Sequence, residues 1–108
     1  MTASEKIRTA IGSLEGIEVL PHRFGGIEFK LGKREIGHLH GNSLADIPFP
    51  KKVKEELVNE GIALPHHILP ESGWISFYIK NENDINTAID LFKRSYEIAR
   101  KAKVNYKQ

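Results

Sequence analysis

A chain of 108 residues with a formal net charge of +2, 28% charged and 40% hydrophobic, has the composition of one globular domain rather than a disordered segment. No apolar run approaches the ~20 residues that cross a bilayer, and the N-terminus lacks a basic segment followed by an apolar core, so a soluble, cytoplasmic protein with no membrane partner is predicted. The absence of cysteine excludes disulfides, thiol catalysis and cysteine-ligated metals, and so small a positive charge does not predict nucleic acid.

Thr2 and Glu5 have capping-box spacing, and Ile7, Ala10, Ile11 and Leu14 recur at helical offsets, which predicts a helix over about Ser4 to Leu14. Gly16 can stop it, after which Ile17, Val19 and Leu20 read as a short strand ending at Pro21. Ile27, Phe29 and Leu31 then alternate with Glu28 and Lys30 up to Gly32-Lys33, a pair suited to a two-residue hairpin turn. With Leu31 opposite Arg34, the facing pairs become Lys30 with Glu35, Phe29 with Ile36 and Ile27 with His38. That register points His38 and His40 to the side carrying Phe29 and Ile36, with Gly37 and Leu39 on the other.

Gly41-Asn42-Ser43 breaks the strand, and a loop leads through Asp46 to Pro50, the expected first residue of a helix that turns Val53 and Leu57 inward until Gly61. Pro65 and Pro70 bound an irregular stretch, and Trp74 to Ile79 reads as a central strand. A last helix begins at Asn81 or Asn83 and carries Ile85, Ala88, Ile89, Phe92, Tyr96 and Ala99 as an apolar stripe. The order α-β-β-β-α-β-α predicts an α+β two-layer sandwich, with about three helices on one face of a mostly antiparallel sheet of about four strands, in a single domain over residues 1–108.

Five histidines fall in three short stretches: PHRFGG with His22, IGHLHG with His38 and His40, and LPHHILPESGW with His66 and His67. Residues two apart on a strand share a face, so His38 and His40 could reach one metal ion, but a site needs a third ligand. Candidates for it are His22, Asp46, His66, His67 and Glu71, all placed in loops, and an anion pocket is favoured over a metal. For proton transfer the candidates are His40 and His67, with Glu28, Asp46 or Glu71 able to orient an imidazole. Ser72, in ESGW, lacks the setting of a nucleophile and reads as a turn residue. Lys51, Lys52 and Lys54 crowd the first turn of the second helix, where the dipole disfavours positive charge unless an anion relieves it.

Taken together, PHRFGGIEF, REIGHLHG, DIPFP, PHHILPESGW and SYEIA resemble the small bacterial and archaeal proteins of the luciferase-domain family, over about Val19 to Ala99. The resemblance implies that His22, Arg23, Gly25, Gly26, Glu28, His38, His40, Gly41, Asp46, His66, His67, Ser72, Gly73 and Trp74 are signature residues, and assigns none of them to catalysis. No flavin or adenylate motif is recognisable, and the sequence names no cofactor. The predicted function is binding of a small anionic molecule in a pocket of His22, Arg23, His38, His40, His66, His67 and Trp74, with Arg23 as the anion's partner. The alternatives are an enzyme that uses histidine with a carboxylate or a histidine-ligated metal, and a structural or protein-interaction module.

Overall fold

The computed structural model describes residues 1–107, with all side chains in that range except those of Phe24 and residues 103–107. The capping box starts α1 (Ala3–Gly12): the Thr2 hydroxyl accepts from the Glu5 amide at 3.1 Å, and the Glu5 carboxylate accepts from the Thr2 amide at 2.9 Å. There follow β1 (Ile17–His22), a 3-10 turn (Arg23–Gly25), β2 (Gly26–Leu31), β3 (Arg34–His40) and β4 (Leu44–Pro48). Pro50 is the N-cap of α2 (Lys51–Asn59) rather than its first helical residue. The chain is completed by β5 (Leu64–Pro65), β6 (Trp74–Tyr78) and α3 (Glu82–Lys107), where the Asn81 side chain accepts from the Asp84 amide at the helix start. Among the described residues, no helix is long and apolar enough to cross a membrane.

The fold is α+β, but the sheet has six strands rather than about four, every neighbouring pair antiparallel, in the order β1-β2-β3-β4-β6-β5. The additions are β4 and β5. Asp46 and Pro48 both disfavour strand, so propensity alone hid β4, yet Ala45 and Ile47 alternate with them and are fully buried between β3 and β6. Two residues of β5 are too few to show any period.

The second correction concerns register. Leu31↔Arg34 and Lys30↔Glu35 pair as expected, but then Phe29 faces Gly37 rather than Ile36, and Ile27 faces Leu39 rather than His38. Ile36 is therefore one extra residue in β3, a β-bulge, and every side chain after it changes face. Gly37 and Leu39 now lie on the side of Phe29, and His38 and His40 on the opposite side with Glu28. Gly37 makes the bulge possible: its φ is 151°, and a Cβ there would stand 2.6 Å from the Phe92 ring of α3. The Ile36 carbonyl, displaced from the regular ladder, accepts from the buried Ser95 hydroxyl of α3 at 2.8 Å.

Phe29, Leu39, Ala45, Ile47 and Ile75 of the sheet share one core with Ile7 and Ile11 of α1 and with Ile85, Ala88, Phe92 and Tyr96 of α3. The rings of Phe29 and Phe92 meet edge to face, 5.2 Å between centroids. With the apolar residues of β3, β4 and β6 committed to this core, the alternate positions of the same strands form a separate polar face.

Candidate functional site

Strand register assembles that face. Glu28, His38, Asp46 and Ser76 are successive cross-strand partners on β2, β3, β4 and β6, forming one row across the middle of the sheet. Directly opposed residues share a face and lie within reach of one another. His22 ends β1 beside this row, His40 stands two residues beyond His38, and the segment after β5 brings in His66 and His67. An amide-to-hydroxyl bond of 3.3 Å from His67 to Ser76 ties that segment to the sheet.

Asp46 is the centre. It is fully buried, and its Oδ1 accepts from the Ser76 hydroxyl at 2.9 Å. Its Oδ2 lies 2.9 Å from His40 Nε2, 3.2 Å from His67 Nε2, 3.3 Å from His38 Nε2 and 3.5 Å from His66 Nε2. Burial opposes a charge on Asp46, but its contacts with His38, Ser76 and His67 outweigh that and hold its carboxyl well below the ordinary range.

An ionised carboxylate only accepts hydrogen bonds, so each imidazole nitrogen bonded to one carries a hydrogen. His22 thus donates from Nδ1 to Glu28 at 2.9 Å, and His38 donates from Nδ1 to Glu35 at 2.5 Å. His40 donates from Nε2 to Asp46. His66 differs, because its Nδ1 accepts from the backbone amides of Ile68 (3.1 Å) and Leu69 (3.0 Å) and so holds the turn after β5. Burial disfavours a charge on His38, yet hydrogen bonding with Asp46 and Glu35 prevails and raises its pKa to about 9. His66 is pushed below its ordinary value, chiefly by burial, with the adjacent His67 and His38 adding to the effect against the attraction of Asp46.

All seven expected pocket residues line a single cleft of about 360 Å³, together with Glu35, Asp46, Ile68 and Leu69. The His22 and His38 rings stack 4.0 Å apart, and Trp74 borders both His38 (5.4 Å) and His66 (5.9 Å). Gly73 sets the Trp74 end of the cleft: a Cβ there would fall 1.9 Å from the Phe49 carbonyl oxygen, so only glycine lets the two segments approach this closely. A larger hollow of about 450 Å³ beside β5 holds no histidine.

Glu71 is not brought to the histidines; it lines a shallow hollow with Lys51 and Ser72. Ser72 is a turn residue, its hydroxyl donating to the Leu69 carbonyl and accepting from the Trp74 amide. Of the three lysines opening α2, Lys54 donates to the Pro70 carbonyl at 2.8 Å. Sequence reasoning missed Glu35 and Ser76. The signal for Glu35 was Gly37, since an isolated glycine inside a strand marks a bulge, and the bulge turns His38 to the face of Glu35. Ser76 would have followed from reading Leu44 to Pro48 as a strand paired with the Trp74 strand.

The sequence profile of a family described as Luciferase domain matches residues 33–95. The match takes in His38, His40, Asp46, His66, His67 and Trp74. No curated protein and no solved structure matches the chain at a significant level.

Proposed function

This chain belongs to the luciferase-domain family, and we propose that it binds a small anionic molecule in the histidine cleft, with Arg23 as the anion's partner. The observation that carries the reading is convergence: residues from β1, the 3-10 turn, β3, β4, β6 and the segment after β5 line one cleft of about 360 Å³. That volume is within the usual range for small-molecule sites. Glu28, Glu35 and Asp46 are each engaged by an imidazole, whereas Arg23 is paired with no carboxylate among the described residues. Its guanidinium is thus a fork of donors suited to a carboxylate or phosphate, and Trp74, Ile68 and Leu69 offer an apolar wall to the rest of the ligand. The reading takes the fold as two layers, with α1 and α3 behind the sheet and the cleft on its other face.

Trp74 is the only tryptophan, so its fluorescence reports on the cleft directly. Titration with inorganic phosphate, benzoate and phenyl phosphate is expected to give a saturable change for at least one of them. Arg23→Gln should weaken that ligand by roughly tenfold or more, as expected for a lost charge-assisted contact. Unchanged emission with every anion, or equal binding by the variant, would overturn the reading.

The second reading, an enzyme, is favoured by one observation: Asp46 accepts from Nε2 of both His40 and His67, whose side chains are about one-third exposed. An imidazole oriented by a buried carboxylate is the arrangement a general base requires.

A further inference from the structure

We infer that His22, His38 and His40 hold a divalent transition-metal ion, each imidazole kept in its ligating tautomer by a carboxylate of its own. One ring nitrogen from each of the three lies within 4.8 Å of the others. Tetrahedral zinc with nitrogen ligands at 2.0–2.1 Å places those nitrogens about 3.4 Å apart, so modest side-chain rotation closes the site.

The tautomers make this more than proximity. Glu28 takes the Nδ1 hydrogen of His22, Glu35 takes that of His38, and Asp46 takes the Nε2 hydrogen of His40. In the neutral imidazole the other nitrogen then carries the lone pair: Nε2 of His22, Nδ1 of His40 and, once it leaves its contact with Asp46 Oδ2 at 3.3 Å, Nε2 of His38. A carboxylate on the far nitrogen is the outer-shell partner that metal-binding histidines characteristically have. His66 lacks this arrangement, because its Nδ1 lone pair is already taken by two backbone amides.

A second trio, His40, Asp46 and His67, also has ligand atoms within 4.8 Å. There the two imidazoles already give their hydrogens to Asp46 Oδ2, so an ion would have to break both bonds. The first trio gives up only one contact with Asp46, the longer one of His38 Nε2 at 3.3 Å.

Charge points the same way. Glu28, Glu35 and Asp46 bring three carboxylates to imidazoles that are neutral when they ligate, with Arg23 as the fixed cation of the cleft. A divalent ion balances these carboxylates and gives an arriving anion a second cationic partner beside Arg23. Imidazole donors without thiolate select the borderline ions, such as zinc, cobalt, nickel or iron(II), over soft copper(I) or hard magnesium and calcium. This inference deepens the ligand reading by assigning the same cleft a metal, but metal uptake by itself does not depend on the anion.

The test uses the full chain, stripped with a chelator and titrated with cobalt(II) and then zinc(II) in a buffer free of phosphate and carboxylates. Expected are uptake of one cobalt ion per chain with visible absorption, its displacement by zinc, and a raised Tm in the loaded form. His22→Ala and His38→Ala should abolish uptake, while His67→Ala leaves it unchanged. Because an alanine variant could fail to fold, Glu28→Gln and Glu35→Gln serve as near-isosteric partners. They should weaken cobalt affinity by about 10- to 100-fold, the effect usual for outer-shell residues, with the Tm of the chelated protein retained. No uptake by the wild type, loss that follows His67 rather than His22, or glutamine variants that bind as tightly as wild type would each overturn the inference. Uptake in a chain whose Trp74 ignores all three anions would support the metal and sink only the anion reading; anion binding without uptake would do the reverse.

Discussion

Asp46 concentrates the energetic cost of the site in one side chain. A fully buried carboxylate is tolerated only if its oxygens are satisfied, and Ser76 is the partner that does not belong to an imidazole. Ser76→Ala removes that hydrogen bond where no water can replace it, since Ser76 is itself 1% exposed. Loss of a bond to a charged group costs about 1.5–3 kcal/mol. The expected result is a lower urea midpoint with an unchanged slope, and a midpoint equal to that of wild type would mean that Asp46 finds its second partner elsewhere. Ser76 also accepts from the His67 amide, so the same substitution should loosen the segment that carries two of the five histidines.

At the level of elements, the bulge in β3 decides which face the histidines occupy. Gly37→Ala would force a positive φ on alanine and drive a Cβ against the Phe92 ring and, at 3.0 Å, the Asp46 carbonyl oxygen. Strain and overpacking together are expected to cost roughly 2–4 kcal/mol, measured by chemical denaturation. Adding Phe92→Leu should recover part of the loss, because it relieves the ring contact but not the backbone. A Gly37→Ala protein as stable as wild type would show that the bulge is not held by this glycine. The same element shows what was legible in the sequence. The hairpin turn, its first two pairs and the three helices follow from local chemistry: a capping box, a turn dipeptide and a 3.6-residue stripe. The site residues were legible as a set because histidine, arginine and tryptophan are conspicuous by type. Their face was not, since Ile36 is as apolar as any core residue, and its extra place in β3 is set by contacts with α3 nearly 60 residues away. Asp46 was legible as a candidate but assigned to a loop, because its strand exists only through burial between two others.

Across the whole molecule, the site spans regions of unequal local stability. β4 lies between β3 and β6 with three consecutive buried residues, Ala45, Asp46 and Ile47, whereas β5 is a two-residue edge strand with Leu64 56% exposed. Opening free energy follows such differences in burial. Hydrogen exchange is therefore expected to be slower by orders of magnitude at residues 44–48 than at 64–69; similar protection in both would contradict a rigid centre with a looser rim. His38, His40 and Asp46 sit on the protected part, and His66 and His67 on the part that opens first. A ligand entering over Ile68 and Leu69 would pass the mobile side and stop against the fixed one.

The Ser95 hydroxyl of α3, which satisfies the Ile36 carbonyl, extends the cleft's vulnerability beyond its own lining. Gly37, Phe92 and Ser95 do not line it, yet together they hold the extra residue on which its geometry depends. A survey of damaging substitutions would accordingly trace two patches, one around the imidazoles and one inside the helix packing, joined through the backbone of a single strand.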